Sequence, residues 1–135
     1  MSTIQWIVGV LVLIVVAFFA MQLLLVRKMQ RQKGKPAPKL EGKAGKWIAG
    51  GNVALFYFYS PNCGACRAMT PTVKKLAKDY KGVFPIDISQ DMNTAHLFGV
   101  MATPTTVVIE EGVIQNILIG PQPSAHLEQL VSDAA

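Results

Sequence analysis

The chain has 135 residues, 13 Lys+Arg against 8 Asp+Glu for a net charge of +5, and 51% apolar residues. That length holds one domain of ordinary size and hardly a second. Its two cysteines are too few for the disulfide framework of a small secreted scaffold or for the four ligands of an intramolecular zinc or iron–sulfur site, and collagen-like, low-complexity and repeat architectures are excluded as well.

The apolar excess is concentrated at the start, where residues 1 to 26 contain no Asp, Glu, Lys or Arg. As a helix, the 23 residues Ile4 to Val26 extend about 34 Å, more than the roughly 30 Å of a bilayer's hydrocarbon core. Only a helix carries a single segment across, because every backbone N–H and C=O must find its partner inside the segment. Trp6 stands near one end, and Arg27 and Lys28 close the other. A cleaved signal peptide puts positive charge ahead of a shorter apolar run, whereas Met1 to Gln5 carry no charged side chain. The expectation is a retained transmembrane helix over residues 1–27, held in the lipid bilayer with Trp6, Arg27 and Lys28 at its interfaces.

Residues 28–46 read as a basic juxtamembrane linker. With Arg27, this flank carries eight positive charges against Glu41 alone, which by the positive-inside rule places the following domain in the cytoplasm. The rival topology is an extracytoplasmic, periplasmic-type domain on a signal anchor. Gly34, Pro36, Pro38, Gly42 and Gly45 among the lysines of Lys33 to Lys46 make a poor helix and a poor strand, hence a tether. Its charge serves as a topology signal on a solvated segment, or attracts anionic lipid at about 1 kcal/mol per basic residue. Residues 47–135 have five basic and seven acidic residues, so nucleic acid is not an expected partner.

Val53 to Tyr59 is a seven-residue apolar and aromatic run between Gly50-Gly51-Asn52 and Ser60-Pro61-Asn62, the pattern of a central strand buried on both faces. Cys63 to Tyr80 places Met69, Val73, Leu76, Ala77 and Tyr80 at helical spacing. Val83 to Ile88 is a second strand. Ser89 to Phe98 is a short helix capped by Ser89 or Asp91. Strands Thr105–Ile109 and Val113–Ile119 flank Glu110-Glu111-Gly112 as an antiparallel hairpin, and Ser124 to Val131 closes the chain as a helix. Two strands joined through a helix are parallel with a right-handed crossover. The predicted fold is therefore α/β, a mixed four-stranded sheet with helices on both faces, preceded by one transmembrane helix.

Cys63-Gly64-Ala65-Cys66 lies where the first strand gives way to the first long helix. That spacing brings both sulfurs to one side of the first turn, within reach of a disulfide. The unpaired N–H groups of the helix start favour an anion, and the thiolate is the nucleophile of thiol–disulfide exchange. Cys63 is the exposed attacking sulfur, and Cys66, one turn in, the resolving one. A purely stabilising disulfide closes too short a loop to constrain the unfolded chain much. Zinc needs two further ligands, and His96 and His126 each stand away from a second Cys or His, which leaves only a metal site shared between two chains. Met69, Met92 and Met101 read as gap fillers, with Met101 bordering the active-site surface.

Residues 53–135 resemble a thioredoxin-family domain. The resemblance is carried by Cys63-Gly64-Ala65-Cys66, by Pro71 eight positions after the first cysteine, and by Thr103-Pro104-Thr105 before the hairpin. It implies that the cysteines form a redox couple needing no cofactor or metal, that Pro104 is cis and lies against them, and that Thr103 docks extended substrates through its backbone. By the same resemblance Pro71 kinks the helix and Gly120 lets a substrate approach, while Asn62 and Gly64 flank the nucleophile on the substrate-binding surface.

Departures from the pattern are specific. The family's buried acid and buried lysine fall on Tyr57 and Pro85, Asn62 replaces a common tryptophan, and Ala65 replaces a common proline. The stretch before Val53 is too short for the family's additional strand and helix, although Trp47-Ile48 suit a cap on the core. The domain is set at residues 47–135. The function expected is membrane-anchored thiol–disulfide exchange with protein clients and a redox protein that recharges the pair. The alternative is a non-catalytic docking subunit of a larger membrane complex.

Overall fold

A computed structural model of the chain describes residues 2–133. Nine elements follow one another among these residues: α1 (Thr3–Gln30), α2 (Gly42–Ala49), β1 (Ala54–Tyr59), α3 (Cys66–Asp79), β2 (Val83–Asp87), α4 (Met92–Leu97), β3 (Thr105–Glu110), β4 (Val113–Ile119) and α5 (Ser124–Ser132). The strands form one sheet in the order β2-β1-β3-β4. β1 runs parallel to β2 and antiparallel to β3, and β3 and β4 form the hairpin. At its tip Glu111 and Gly112 both have positive φ, 52° and 74°, the geometry whose twist matches that of the flanking strands.

The apolar run of β1 is central because both of its faces are covered. Side chains alternate along a strand, so Ala54, Phe56 and Phe58 enter one core with Ile48, Ala95, Phe98, Val107 and Ile109. Leu55 and Tyr57 enter the other with Met69, Val73, Leu76, Leu127 and Val131. Phe56 lies 5.0 Å, centroid to centroid, from both Phe84 and Phe98. Phe56 and Phe98 are fully buried, and each such ring stabilises the fold by about 1.5–3 kcal/mol relative to an exposed one. α3 buries Met69, Val73 and Leu76 and leaves Lys74, Lys75 and Lys78 in solvent. Of the two residues expected to cap α4, Asp91 does so by accepting from the Thr94 backbone N–H at 3.0 Å. Ser89 is instead held in the preceding turn by Asp87.

The outer edge of β2 is closed by its own sequence. The Leu55 N–H donates to Gly82 O and the Ile88 N–H to Tyr59 O. In a parallel pair this register turns residues 82, 84, 86 and 88 toward β1 and residues 83, 85 and 87 outward. Val83 uses its N–H on Tyr80 O, the Asp87 carbonyl accepts from Gln90 and Asp91, and Pro85 has no N–H. A proline tolerates only an outward-facing position in a strand, and here it removes the donor that a stray strand needs.

Residues 33–41 form neither helix nor strand, as read from the sequence, but the reading of the segment as a tether without a helix is corrected. Pro36 bridges antiparallel to Val113 of β4. The N–H groups of Gly34 and Ala37 donate to Ile114 O and Gly112 O, and Ile114 donates back to Lys35 O. α2 then occupies Gly42–Ala49, so the stretch before Val53 does supply a helix. Ala37, Leu40, Ala44 and Trp47 pack against the core, Ile48 is buried in it, and the lysines between them stay in solvent. That apolar spacing overrides the unfavourable Gly and Pro content, because burial outweighs local propensity. α1 likewise continues past Val26 to Gln30, where Met29 is only 2% exposed.

Candidate active site

The end of β1 delivers the chain into a tight turn, with the Cys63 N–H donating to Ser60 O at 3.1 Å and the Asn62 N–H to Ser60 Oγ at 3.4 Å. Cys63 and Cys66 are joined as a disulfide with Cα atoms 5.2 Å apart. α3 begins at Cys66 and not at Cys63, so Cys63 sits just ahead of the helix. The first helical N–H, that of Cys66, points at Cys63 Sγ at 3.2 Å. An N–H aimed at a sulfur stabilises it as an anion once the disulfide opens. Cys66 is 1% exposed, whereas Cys63 is partly open and its neighbours Asn62, Gly64 and Ala65 are exposed. The two sulfurs are thus unequal in access.

Tertiary structure brings three further expected residues to this turn. The Thr103–Pro104 bond is cis, and Thr103 O lies 3.6 Å from Cys63 Sγ. Pro104 is fully buried. Gly120 has φ +90°, its N–H donates to Pro104 O at 2.8 Å, and the space beside its Cα is empty. Cys63, Thr103, Pro104 and Gly120 therefore meet at one end of the sheet, with Asn62 and Gly64 beside them on the loop. Pro71 lies inside α3, and Met101, exposed, borders the Thr103 loop. Trp6, Arg27 and Lys28 are all exposed on α1 and lie apart from the disulfide along the chain.

Behind Cys66 stand two hydroxyl groups. Thr70 Oγ1 donates to Cys66 O at 2.8 Å, and the Tyr57 hydroxyl lies 3.0 Å from Thr70 Oγ1 and 3.4 Å from Cys66 O. Burial pushes the Tyr57 phenol above its ordinary pKa, partly offset by the Thr70 hydrogen bond. It stays neutral where a carboxylate would titrate. Thr70 was not singled out from the sequence, yet its place one helical turn after Cys66 is the usual spacing for a threonine that bonds back to the i−4 carbonyl. Among the described residues, no three His, Cys, Asp or Glu side chains gather as a metal site would require.

The thioredoxin family profile matches residues 47–133. The chain belongs to the thioredoxin family. It is 31% identical over 83 residues to the thioredoxin of Bacillus subtilis (strain 168), which covers 59% of this chain and 80% of that protein. It is 35% identical over 80 residues to the chloroplastic thioredoxin M4 of Arabidopsis thaliana, covering 57% of this chain but only 42% of that longer protein. The solved thioredoxin of Fasciola hepatica superposes with a TM-score of 0.55 at 28% identity, over 67% of this chain and 89% of that one. Thioredoxins exchange disulfides through their own cysteine pair without a cofactor, and this thioredoxin domain carries that pair as Cys63–Cys66. Residues 1–46 lie outside the matched span. They hold the one helix among the described residues that is long and apolar enough to cross a membrane.

Proposed function

We propose that this protein is a membrane-anchored thiol–disulfide oxidoreductase whose thioredoxin domain works on protein clients beside the bilayer. The Cys63 thiolate attacks one sulfur of a client disulfide, a Cys63–client bond forms, and the client's other sulfur leaves as a thiolate that takes up a proton. Cys66, deprotonated in turn, attacks Cys63 Sγ, the client departs as a dithiol, and Cys63–Cys66 is left oxidised. A second redox protein returns two electrons to the pair. Run backwards, the same steps oxidise a client. The observation that carries this reading is the aimed N–H of Cys66 on a partly open Cys63, with Cys66 itself shielded.

Thr103 supports client docking in this scheme, since its carbonyl borders the reacting sulfur. Asn62, Gly64, Pro104 and Gly120 frame the approach. Retention of the anchor is supported by the helix itself: α1 runs unbroken from the apolar span into Met29, a core residue. The division that fits is an anchor over 1–27 with Trp6, Arg27 and Lys28 at its interfaces, a basic segment 28–46 fastened to the sheet, and a redox domain over 47–135. The basic flank favours the cytoplasmic side. Tyr57 and Pro85, in place of the family's acid and lysine, favour the second reading, a docking subunit of a membrane complex.

A Cys66→Ser variant of the full chain, expressed in cells and quenched with acid, accumulates mixed disulfides with client proteins if exchange occurs. An empty trap at matched expression, with Cys63 reduced and accessible, leaves the docking reading in its place.

A further inference from the structure

The anchor does not hang from the domain on a loose tether, and its attachment has a direction. Gln30 Nε2 donates to Ile117 O at 3.0 Å, the Gly34 N–H to Ile114 O at 2.7 Å, and the Ala37 N–H to Gly112 O at 2.8 Å. Moving back along the chain from Ala37 to Gln30, toward the apolar span, therefore means moving along β4 from Gly112 to Ile117. Continuing the same way leads to Ile119, paired with Thr105, and to Gly120, bonded to Pro104. That is the end of the sheet where Thr103 O meets Cys63 Sγ. The hairpin tip at Glu111 marks the opposite end.

The distances agree. From Ile117 to Gly120 is about 10 Å of strand, and from Gln30 back to Val26 is about 6 Å of helix. The redox end of the sheet thus lies near the level at which the apolar span ends. The Gln32 side chain, just after α1, lies against Gly99, where an added Cβ would crowd it.

A second observation concerns the surface beside that end. Outside α1, the exposed large apolar side chains among the described residues are Met92, Leu97 and Met101, all on α4 or on the loop that leads into Thr103. A groove of about 720 Å³ runs between α1 and this loop, walled by Lys28 and Gln32 on one side and by Met92, His96, Met101 and Thr103 on the other. It is continuous with the exchange site, because Thr103 belongs to both.

We infer that the clients are membrane proteins whose reacting cysteine lies within a few residues of the bilayer surface, and that the segment flanking it occupies the groove between the end of α1 and the Met101–Thr103 loop. This rests on the anchored-oxidoreductase reading above. A rigid anchor holds Cys63 at a set height. Clients anchored in the same bilayer at that height meet it at high local concentration, while disulfides far from the surface seldom do. Methionines suit such a groove because their flexible, polarisable chains adapt to varied sequences.

The test uses the full chain in vesicles of phosphatidylcholine and phosphatidylglycerol. Two single-span peptides carry the same disulfide, one about three and the other about thirty residues from the span, and a water-soluble disulfide peptide serves as reference. The near disulfide is expected to react at least about tenfold faster than the far one. Equal rates, or a preference for the far one, overturn the client class. Orientation is read independently, by quenching from a headgroup-labelled lipid. A bimane on Cys63 in the Cys66→Ser chain is expected to be quenched more than one at Glu111→Cys in a chain lacking both native cysteines, and the reverse order overturns the proposal. No turnover of any of the three disulfides sinks the oxidoreductase reading and the client class with it. Soluble turnover with equal rates on both anchored peptides sinks the client class alone.

Discussion

The Tyr57 hydroxyl lies 3.4 Å from the carbonyl oxygen of Cys66 and 3.0 Å from Thr70 Oγ1, so a neutral phenol occupies the place behind the buried cysteine. Burial raises its pKa, and it does not ionise while the thiols titrate. Alkylation of reduced Cys63 in the Cys66→Ser chain, followed from mildly acidic to mildly basic pH, is therefore expected to show one ionisation. Tyr57→Asp places a carboxyl behind Cys66 and is expected to add a second ionisation to the profile. Tyr57→Phe keeps the single step, because Thr70 still donates to Cys66 O. A second step in the Cys66→Ser chain with Tyr57 in place contradicts this assignment.

Met29 belongs to the core although it sits on the long apolar helix α1, 2% exposed among side chains that include Ile114 and Ile117. Met29→Ala in the full chain, in nonionic detergent, is expected to lower the unfolding free energy of the domain by about 2–5 kcal/mol through the cavity it leaves. Arg31→Ala, on the exposed side, is expected to stay within about 0.5 kcal/mol of the native value. Equal stability of the two variants means that the helix end is not docked in solution.

Gly120 adopts φ +90° beside empty space. Gly120→Ala thus meets backbone strain without a clash, and about 1–2 kcal/mol of stability is expected to be lost. Thermal unfolding monitors the cost, and retained alkylation of reduced Cys63 shows that the loop around the sulfur is intact.

Thr106, buried opposite Tyr57 in the β1–β3 ladder, has a hydroxyl with no hydrogen-bond partner among the described residues. Thr106→Val keeps the branched shape that a strand favours and removes a desolvated polar group. The variant is expected to be more stable by about 1 kcal/mol, seen as a higher denaturant midpoint at unchanged slope. A loss of stability means that the hydroxyl is satisfied.

Asp91 accepts from the Thr94 N–H and hydroxyl at the start of α4, which hold its carboxyl below the ordinary range. A carboxyl lowered on folding stabilises the domain above its unfolded pKa, and that contribution is lost as the pH falls through the lowered value. Asp91→Ala is expected to cost about 1 kcal/mol at neutral pH. The difference from the native protein should narrow in acid, as thermal melts across that range will show.

Much of the fold was legible because its signals are local. The β1 run, the helical spacing of Met69, Val73 and Leu76, and the turn at Glu111-Gly112 each follow from a few neighbouring residues, and each lies where expected. The cysteine pair and Thr103-Pro104 were legible through a family pattern. The spacing alone extends the helix back to Cys63, whereas α3 starts at Cys66, because helix starts depend on turn hydrogen bonds that composition does not reveal. The docking of the segment from Lys33 to Lys46 is not legible locally for a related reason. Its glycines, prolines and lysines describe the unbound chain, while Ala37, Leu40 and Trp47 order only against a core built from distant residues.

By itself, the chain of residues determined an apolar helix long enough for a bilayer, a mixed sheet around one buried strand, and two thiols at the start of a helix. Periodicity and spacing are properties of short stretches, so they survive without any knowledge of the fold. Only the tertiary structure decided that Thr103 and Gly120 stand beside them, and that the end of α1 and the segment after it are fastened along β4. These are relations between residues up to 87 positions apart, and they exist only once strands have paired and the two cores have closed around them.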